Sequence, residues 1–161
     1  MTLLPPAAVR PARRQQHLRM PPAVADPGID QGDHPVVVHG DARGRLLGFP
    51  TANLASDAVG MVPADGVYAG WLLRGAAPGV APAERLPAAI SIGTNPTFGG
   101  VGRRVEAYVL DRDDLELYDE EVVLELVQRV RPTLRFDGVD ALVARMHEDV
   151  DHVRALLTPV A

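Results

Sequence analysis

Short stretches of alternating apolar residues, separated by loops rich in glycine and proline, constrain this chain more than any other feature. Hydrophobic side chains recur at every second position in four segments: 66–73, 86–93, 104–110 and 122–129. Such a period of two is typical of strands that bury one face. We expect a further short strand at 36–38, and loops at 74–85, 93–102 and 112–121. The sequence therefore predicts a fold made mainly of antiparallel strands.

The hydrophobic period changes after the last of these segments. From Val139 to Leu157 the apolar residues lie three or four positions apart, which is the spacing of one face of an α-helix. Asp137 is the predicted N-cap of this helix. Five or six strands followed by one long helix indicate a closed β-barrel with the helix packed outside it.

Composition excludes several kinds of chemistry. The chain has no cysteine and its sixteen basic residues are all arginines, so thiolate-ligated zinc, disulfides, lysine Schiff bases and a Walker A loop are excluded. A net charge of −5 with few aromatic residues disfavours nucleic-acid binding. There is also no apolar run of about 18 residues that would span a membrane. We expect a cytoplasmic protein with neither a nucleic-acid nor a membrane partner.

Residues 1–33 differ in composition and hydrophobic pattern from the rest of the chain. They are rich in proline and arginine and carry no sustained hydrophobic period. We interpret them as a disordered or linker-like tail, with a targeting segment as the alternative. The remaining residues, 34–161, are predicted to form one barrel domain.

The segment 40–54, GDARGRLLGFPTANL, does not resemble ordinary scaffold. Gly44 and Gly48 would let the backbone approach a ligand closely or adopt a positive φ. Arg43 and Arg45 are suited to pair with phosphate oxygens. The alternative is a β-hairpin loop in which the glycines only serve turns.

The end of this segment carries two oxygen ligands at close spacing. Pro50 favours an extended backbone, and in an extended chain Thr51 and Asn53 would project to the same side. A hydroxyl and an amide oxygen together suit a hard cation such as Mg²⁺, with substrate phosphates and water completing its shell. We therefore predict a magnesium site at Thr51 and Asn53.

Three segments in order resemble the riboflavin kinase family, whose domain also forms the C-terminal part of bacterial FAD synthetases. They are GRLLGFPTANL, SIGTNPTFGGVGRRVEAYVLD (91–111) and RVRPTLRFDGVDALVARMHEDV (129–150). The resemblance covers residues 36–157. It implies a six-stranded antiparallel Greek-key β-barrel that uses Mg²⁺ and ATP to phosphorylate the ribityl 5′-hydroxyl of riboflavin, giving FMN.

The resemblance also assigns roles to single residues. It implies that Glu106 is the catalytic base and that Thr51 and Asn53 bind magnesium and the nucleotide phosphates. From the pattern alone, Glu106 reads as a solvent-facing strand residue, since it alternates with Val105, Ala107 and Val109. The further predicted contacts to substrates are Gly44, Arg45, Gly48, Pro50, Asn95, Arg131 and Phe136. For Phe136, a purely structural role at the start of the helix is the alternative.

Some positions depart from the family pattern. Pro35 and Asp119 stand where glycines are usual, and Thr133 replaces an acidic residue. The stretch His147–Asp151 begins like an HExxH zinc motif but has Asp151 in place of the second histidine, so we interpret it as the polar face of the helix.

Two alternative functions remain open at this stage. One is a flavin-binding or regulatory barrel without catalysis. The other is a fragment of a bifunctional FAD synthetase that lacks its adenylyltransferase domain. For the kinase we expect a monomer acting on riboflavin and ATP, and a separate FMN adenylyltransferase partner is left open.

Overall fold

The computed structural model describes residues 37–38, 43–54, 62–76, 79–97 and 100–158. The strands are β1 Val37–Val38, β2 Ala52–Leu54, β3 Gly66–Arg74, β4 Glu84–Thr97, β5 Gly100–Val109 and β6 Val122–Arg131. The helices are the single turn α1, Arg43–Leu46, and the long α2, Val139–Leu157. The predicted tail, 1–33, lies outside the described residues.

All strands belong to one antiparallel sheet with the order β1-β2-β5-β4-β3-β6. The mainly β fold and the C-terminal helix are therefore confirmed. Among the described residues no ladder joins β1 to β6, the two ends of this order. At that end Val37 exchanges two backbone hydrogen bonds of 3.0 Å with Asp119 and Glu120, just before β6.

The two faces of the sheet pack into two separate hydrophobic clusters, because successive side chains of a strand point to opposite faces. One face buries an inner core whose largest fully enclosed side chains are Val37, Leu72, Ile90 and Val122. The other face packs against α2, where Ala69 and Leu110 meet Val150, Val153 and Leu157. Strand β3 thus has both faces covered, which explains why its apolar residues occupy both parities.

Two expectations about element bounds were wrong. The predicted loop 93–102 is mostly strand, because β4 continues to Thr97 and β5 already begins at Gly100. The backbone ladder thus extends beyond the apolar core that the pattern detects. The N-cap of α2 is Gly138, with φ 150°, rather than Asp137, and no side chain caps the helix. No helix among the described residues has the length and apolarity needed to cross a bilayer.

Candidate active site

The glycine-containing segment forms a compact turn that Phe49 anchors. Its backbone N–H donates to the carbonyl of Gly44 at 2.7 Å, so the chain folds back on itself between the two residues. A Cβ at Gly44 would lie 2.3 Å from the carbonyl oxygen of Phe49, which makes glycine necessary there. Gly48 adopts φ 84°, a left-handed conformation that also favours glycine. The turn is therefore built by glycines for steric reasons.

An aromatic stack ties this turn to the sheet and to α2. The Phe49 ring, which is buried, meets Tyr108 edge-on at 5.3 Å and His147 at 4.9 Å. Burial raises the pKa of the Tyr108 phenol, with the nearby Asp111 carboxylate adding to the shift. Phe49 thus connects the segment that precedes Pro50 to strand β5 and to the helix.

Asn53 and Glu106 lie directly opposite each other on neighbouring strands. Strand β2 pairs with β5 so that Asn53 faces Glu106, and Ser91 of β4 faces Glu106 from the other side. Their strand neighbours Ala52 and Ala107 point into the inner core, so these three polar side chains share the opposite face of the sheet. Directly paired side chains on one face have Cβ atoms about 4.5–5.5 Å apart, which is within contact distance.

Two neighbouring cavities adjoin this pair. The first has a volume of about 70 Å³, with a polar rim and an apolar floor. Its lining includes Arg45, Pro50, Thr51 and Asn53 from the glycine segment and Arg112, Asp113 and Tyr118 from the segment before β6. The second has a volume of about 140 Å³ and is lined by Ser91, Gly93, Thr94, Arg104 and Glu106. Asn53 lines the first cavity and Glu106 lines the second, and the two residues are paired across neighbouring strands. Each cavity is large enough for only one end of a substrate.

Arg104 is the charged neighbour of Glu106. It stands two positions earlier on the same strand face, and its Nη1 lies 3.7 Å from Glu106 Oε1. Both side chains are about one-third exposed, 37% and 31%, so this ion pair is weak and open to exchange. Sequence reasoning missed Arg104, although the alternation that separates Glu106 from the core also puts Arg104 beside it. Arg112, Asp113 and Tyr118 were missed as well, because only the fold brings them near Thr51.

A cluster around Asp65 contacts the second cavity through Thr94, which is part of the cavity lining. Arg103 donates to Asp65 Oδ1 at 2.8 Å and to the carbonyls of Val62 and Pro63, and Thr94 Oγ1 donates to Asp65 Oδ2 at 2.8 Å. These hydrogen bonds, that of Arg103 first, hold the pKa of Asp65 below its ordinary value. The segment 62–65 is thereby attached to the β4–β5 pair beside Glu106.

Oxygen donors suitable for magnesium are present directly after the turn that Gly44 and Phe49 form. The Asn53 amide nitrogen donates weakly, at 3.5 Å, to the carbonyl of Thr51, which leaves the amide oxygen as the end that would meet a cation. In the part of the chain that the structure describes, no group of three or more His, Asp or Glu side chains forms a metal cage. A hydroxyl and an amide with few protein ligands fit Mg²⁺, which usually takes its other ligands from water and substrate phosphates.

The remaining predicted residues occupy two other places. Asn95 lies in β4 opposite Gly102, with its side chain outside the described atoms. Arg131 ends β6 and stands 5.8 Å from the Phe136 ring, in the loop that leads to α2. Arg131 also binds Asp149, whose side chain is buried rather than on the polar face of the helix, so the interpretation of His147–Asp151 was wrong for this residue.

Comparisons with known proteins bear on this geometry. A family model described as Flavokinase: Riboflavin kinase matches residues 34–157. A bifunctional riboflavin kinase/FMN adenylyltransferase from Listeria monocytogenes is 38% identical over 121 residues, 74% of this chain and 36% of that protein. Riboflavin kinase from Mus musculus is 30% identical over 125 residues, 75% of this chain and 77% of the mouse protein.

A solved structure is also similar to this chain. It is a crystal structure described as a macrolide-efflux protein from Streptococcus pneumoniae, with a TM-score of 0.65 and 36% identity over 75% of this chain and 37% of that one. The chain thus spans about a third of the length of the bacterial bifunctional relatives it matches.

Proposed function

Because this chain belongs to the riboflavin kinase family, we propose that it transfers the γ-phosphate of ATP to the 5′-hydroxyl of riboflavin, giving FMN and ADP. The observation that carries the proposal is the pairing of Asn53 with Glu106 on one face of the sheet. The pairing puts Asn53, an oxygen ligand for a metal–phosphate complex, next to Glu106, a carboxylate for the acceptor hydroxyl. In-line transfer requires these two groups to be adjacent.

The nucleotide would bind at the first cavity. Only the phosphate end would enter it, because the cavity's polar rim, which includes Arg45, Thr51 and Asn53, is suited to phosphates and its volume is about 70 Å³. Thr51 and Asn53 would hold Mg²⁺, which when bound neutralises charge on the transferring group. Gly44 and Gly48 would let the backbone of the turn approach the phosphates.

Glu106 would accept the hydrogen bond of the ribityl hydroxyl and take its proton. Its carboxylate faces the second cavity, on the side of Asn53 away from the inner core. The ion pair with Arg104 at 3.7 Å is long enough for a hydroxyl to replace or join it. General base catalysis of this kind contributes about 10² to 10⁴-fold to turnover, while positioning and charge stabilisation supply the rest.

The isoalloxazine ring needs a flat apolar surface. We assign this role to the loop before α2, where Phe136 is half-buried over the Arg131 guanidinium and Leu134 is 43% exposed. Asn95 would border the nucleotide from the β4–β5 hairpin. An exposed leucine beside an aromatic ring supports a ligand surface that is completed only when flavin binds.

The finer architectural predictions belong to the same proposal. A closed six-stranded Greek-key barrel is supported by the two hydrogen bonds of Val37 to the segment before β6. A monomeric, cytoplasmic enzyme remains a prediction, as does a separate FMN adenylyltransferase partner that would consume the product.

The decisive experiment incubates the purified chain with riboflavin, ATP and Mg²⁺ and separates the flavins by chromatography. The proposal predicts FMN, none of it when EDTA is added, and no FAD. Riboflavin binding without FMN would instead favour a non-catalytic flavin-binding barrel. FAD formation would contradict the assignment of one kinase domain.

A further inference from the structure

Asp149 is a buried carboxylate on α2 that the proposed chemistry does not use. Its side chain is 7% exposed and faces the Arg131 guanidinium, which is 10% exposed. Arg131 Nε donates to both carboxylate oxygens at 2.9 Å, and Nη2 donates to Oδ2 at 2.7 Å. A second guanidinium, that of Arg145, has its Nε 3.4 Å from Asp149 Oδ1. Three hydrogen bonds to one carboxylate hold the plane of the Arg131 guanidinium in one orientation.

The same guanidinium extends from the helix to the loop before it. Arg131 Nη1 donates to the carbonyl of Pro132 at 3.0 Å, and its central carbon lies 5.8 Å from the centroid of the Phe136 ring. Most of the loop is exposed, namely Pro132, Thr133, Leu134, Arg135, Asp137 and Gly138. Phe136 is half-buried, so the guanidinium face is a contact that joins an otherwise solvent-facing loop to the folded body.

A stabilising role alone is a weak explanation for this arrangement. Burying two opposite charges costs desolvation energy that their attraction roughly repays, and replacing such a pair by apolar residues is often neutral or stabilising. The pair does fix the orientation of the Arg131 guanidinium, because its Nε and Nη2 are both bound to the carboxylate. The guanidinium therefore stands in a fixed position relative to the Phe136 ring. Through the Arg131 guanidinium, Phe136 is thereby linked to a carboxylate on another element.

We propose that Asp149 is a positioning residue for the planar aromatic substrate. Through Arg131 it fixes Phe136 and the loop 132–138, and so prepares the surface that receives the isoalloxazine ring. This inference rests on the proposed function, because it presumes that the loop binds riboflavin. It predicts that Asp149 contributes to riboflavin affinity and leaves ATP affinity unchanged, although the residue itself contacts neither.

The test uses a double variant, Arg131→Met with Asp149→Leu, which removes both charges of the buried pair. Arg145 loses its contact with Asp149 but is 38% exposed and keeps its ion pair with Glu148 at 3.2 Å. Riboflavin affinity is measured by the change in flavin fluorescence on titration, alongside KM for each substrate, kcat and the thermal midpoint. We expect a riboflavin Kd and KM raised by about 5-fold or more, the cost of ordering the loop during binding. ATP KM and the thermal midpoint should stay close to those of the parent protein.

Two further variants distinguish a loss of Phe136 orientation from general damage to α2. Asp151→Asn changes an exposed carboxylate of the same helix that pairs with Arg154, and its riboflavin Kd should equal that of the parent. Asp149→Asn is measured beside the double variant in every case, because it leaves Arg131 in place and keeps the shape and part of the hydrogen bonding. Its riboflavin Kd should rise while ATP KM stays constant.

Failure of the positioning role and failure of the kinase proposal give different results. A folded double variant, or Asp149→Asn, with the parent's riboflavin Kd would overturn the positioning role and leave the kinase proposal intact. Failure of the parent protein itself to bind riboflavin would overturn both.

Discussion

Gly44→Ala probes the turn from Gly44 to Phe49, the proposed phosphate site, at its tightest point. The added Cβ would meet the carbonyl oxygen of Phe49 at 2.3 Å, and the hydroxyl of Thr51 at 3.5 Å. Ordinary van der Waals contact begins at 3.4 Å, so the Phe49 carbonyl must withdraw by about 1 Å. That movement strains the 2.7 Å hydrogen bond from the Phe49 N–H to the Gly44 carbonyl. It also shifts Thr51, which lies two residues after Phe49.

The expected magnitudes follow from this displacement. Overpacking of this kind costs about 1–3 kcal/mol, which lowers the thermal midpoint by about 4–12 °C for a domain of this size. A misplacement of about 1 Å in a positioning element costs about 10²-fold in rate, so kcat/KM for ATP should fall by that order. The riboflavin Kd should change little, because the loop 132–138 is a separate element.

Activity is measured as FMN formed per minute over a range of ATP concentrations, with circular dichroism for stability. Gly93→Ala is the control for the thermal midpoint alone, because a Cβ there meets nothing within 4 Å but the residue lines the second cavity. If Gly44→Ala kept full kcat/KM for ATP, the turn would not be the phosphate site and the reasoning would fail.

Two further predictions concern stability. Hydrogen bonds from Arg103 and Thr94 lower the pKa of Asp65, so its stabilising contribution is complete above the ordinary value of 3.8 and is lost as the pH falls through the lower, folded-state pKa. Asp65→Asn should therefore lower the thermal midpoint near neutral pH and converge with the parent in acid; a constant difference across the pH range would refute this. Asp119 adopts φ 61°, and its backbone N–H bonds Val37, so Asp119→Gly keeps that bond, relieves the left-handed strain and should raise stability by up to about 1 kcal/mol in urea denaturation. A lower midpoint would show that the aspartate side chain matters more than its backbone.

The strands and the long helix were predictable because their hydrophobic periods are local. Gly66–Arg74 and Val122–Arg131 show the period of two, and Val139–Leu157 shows the helical stripe. The C-terminal end of β4 and the N-terminal start of β5 were not predictable. The apolar pattern stops at the core, while the backbone ladder continues through polar residues. The α1 turn was also missed, since its form depends on the contact between Gly44 and Phe49.

The candidate site was predictable only in part. Asn53 and Glu106 are 53 positions apart, and no local pattern joins them; the resemblance to a family did so, and the strand register then puts them opposite each other. For Asp149 the local sequence pattern led to the wrong prediction. A carboxylate among charged neighbours reads as solvent-facing, and only the packing of α2 against Arg131 reveals that it is buried.

Glu106→Gln is the decisive variant, because FMN formation as proposed depends on this carboxylate serving the acceptor hydroxyl beside Asn53, the proposed metal ligand. Glutamine keeps the size of the side chain and removes the base. We expect kcat for FMN formation to fall by about 10² to 10⁴-fold while ATP affinity and the thermal midpoint stay near those of the parent. A turnover within a few-fold of the parent would show that Glu106 is not the base.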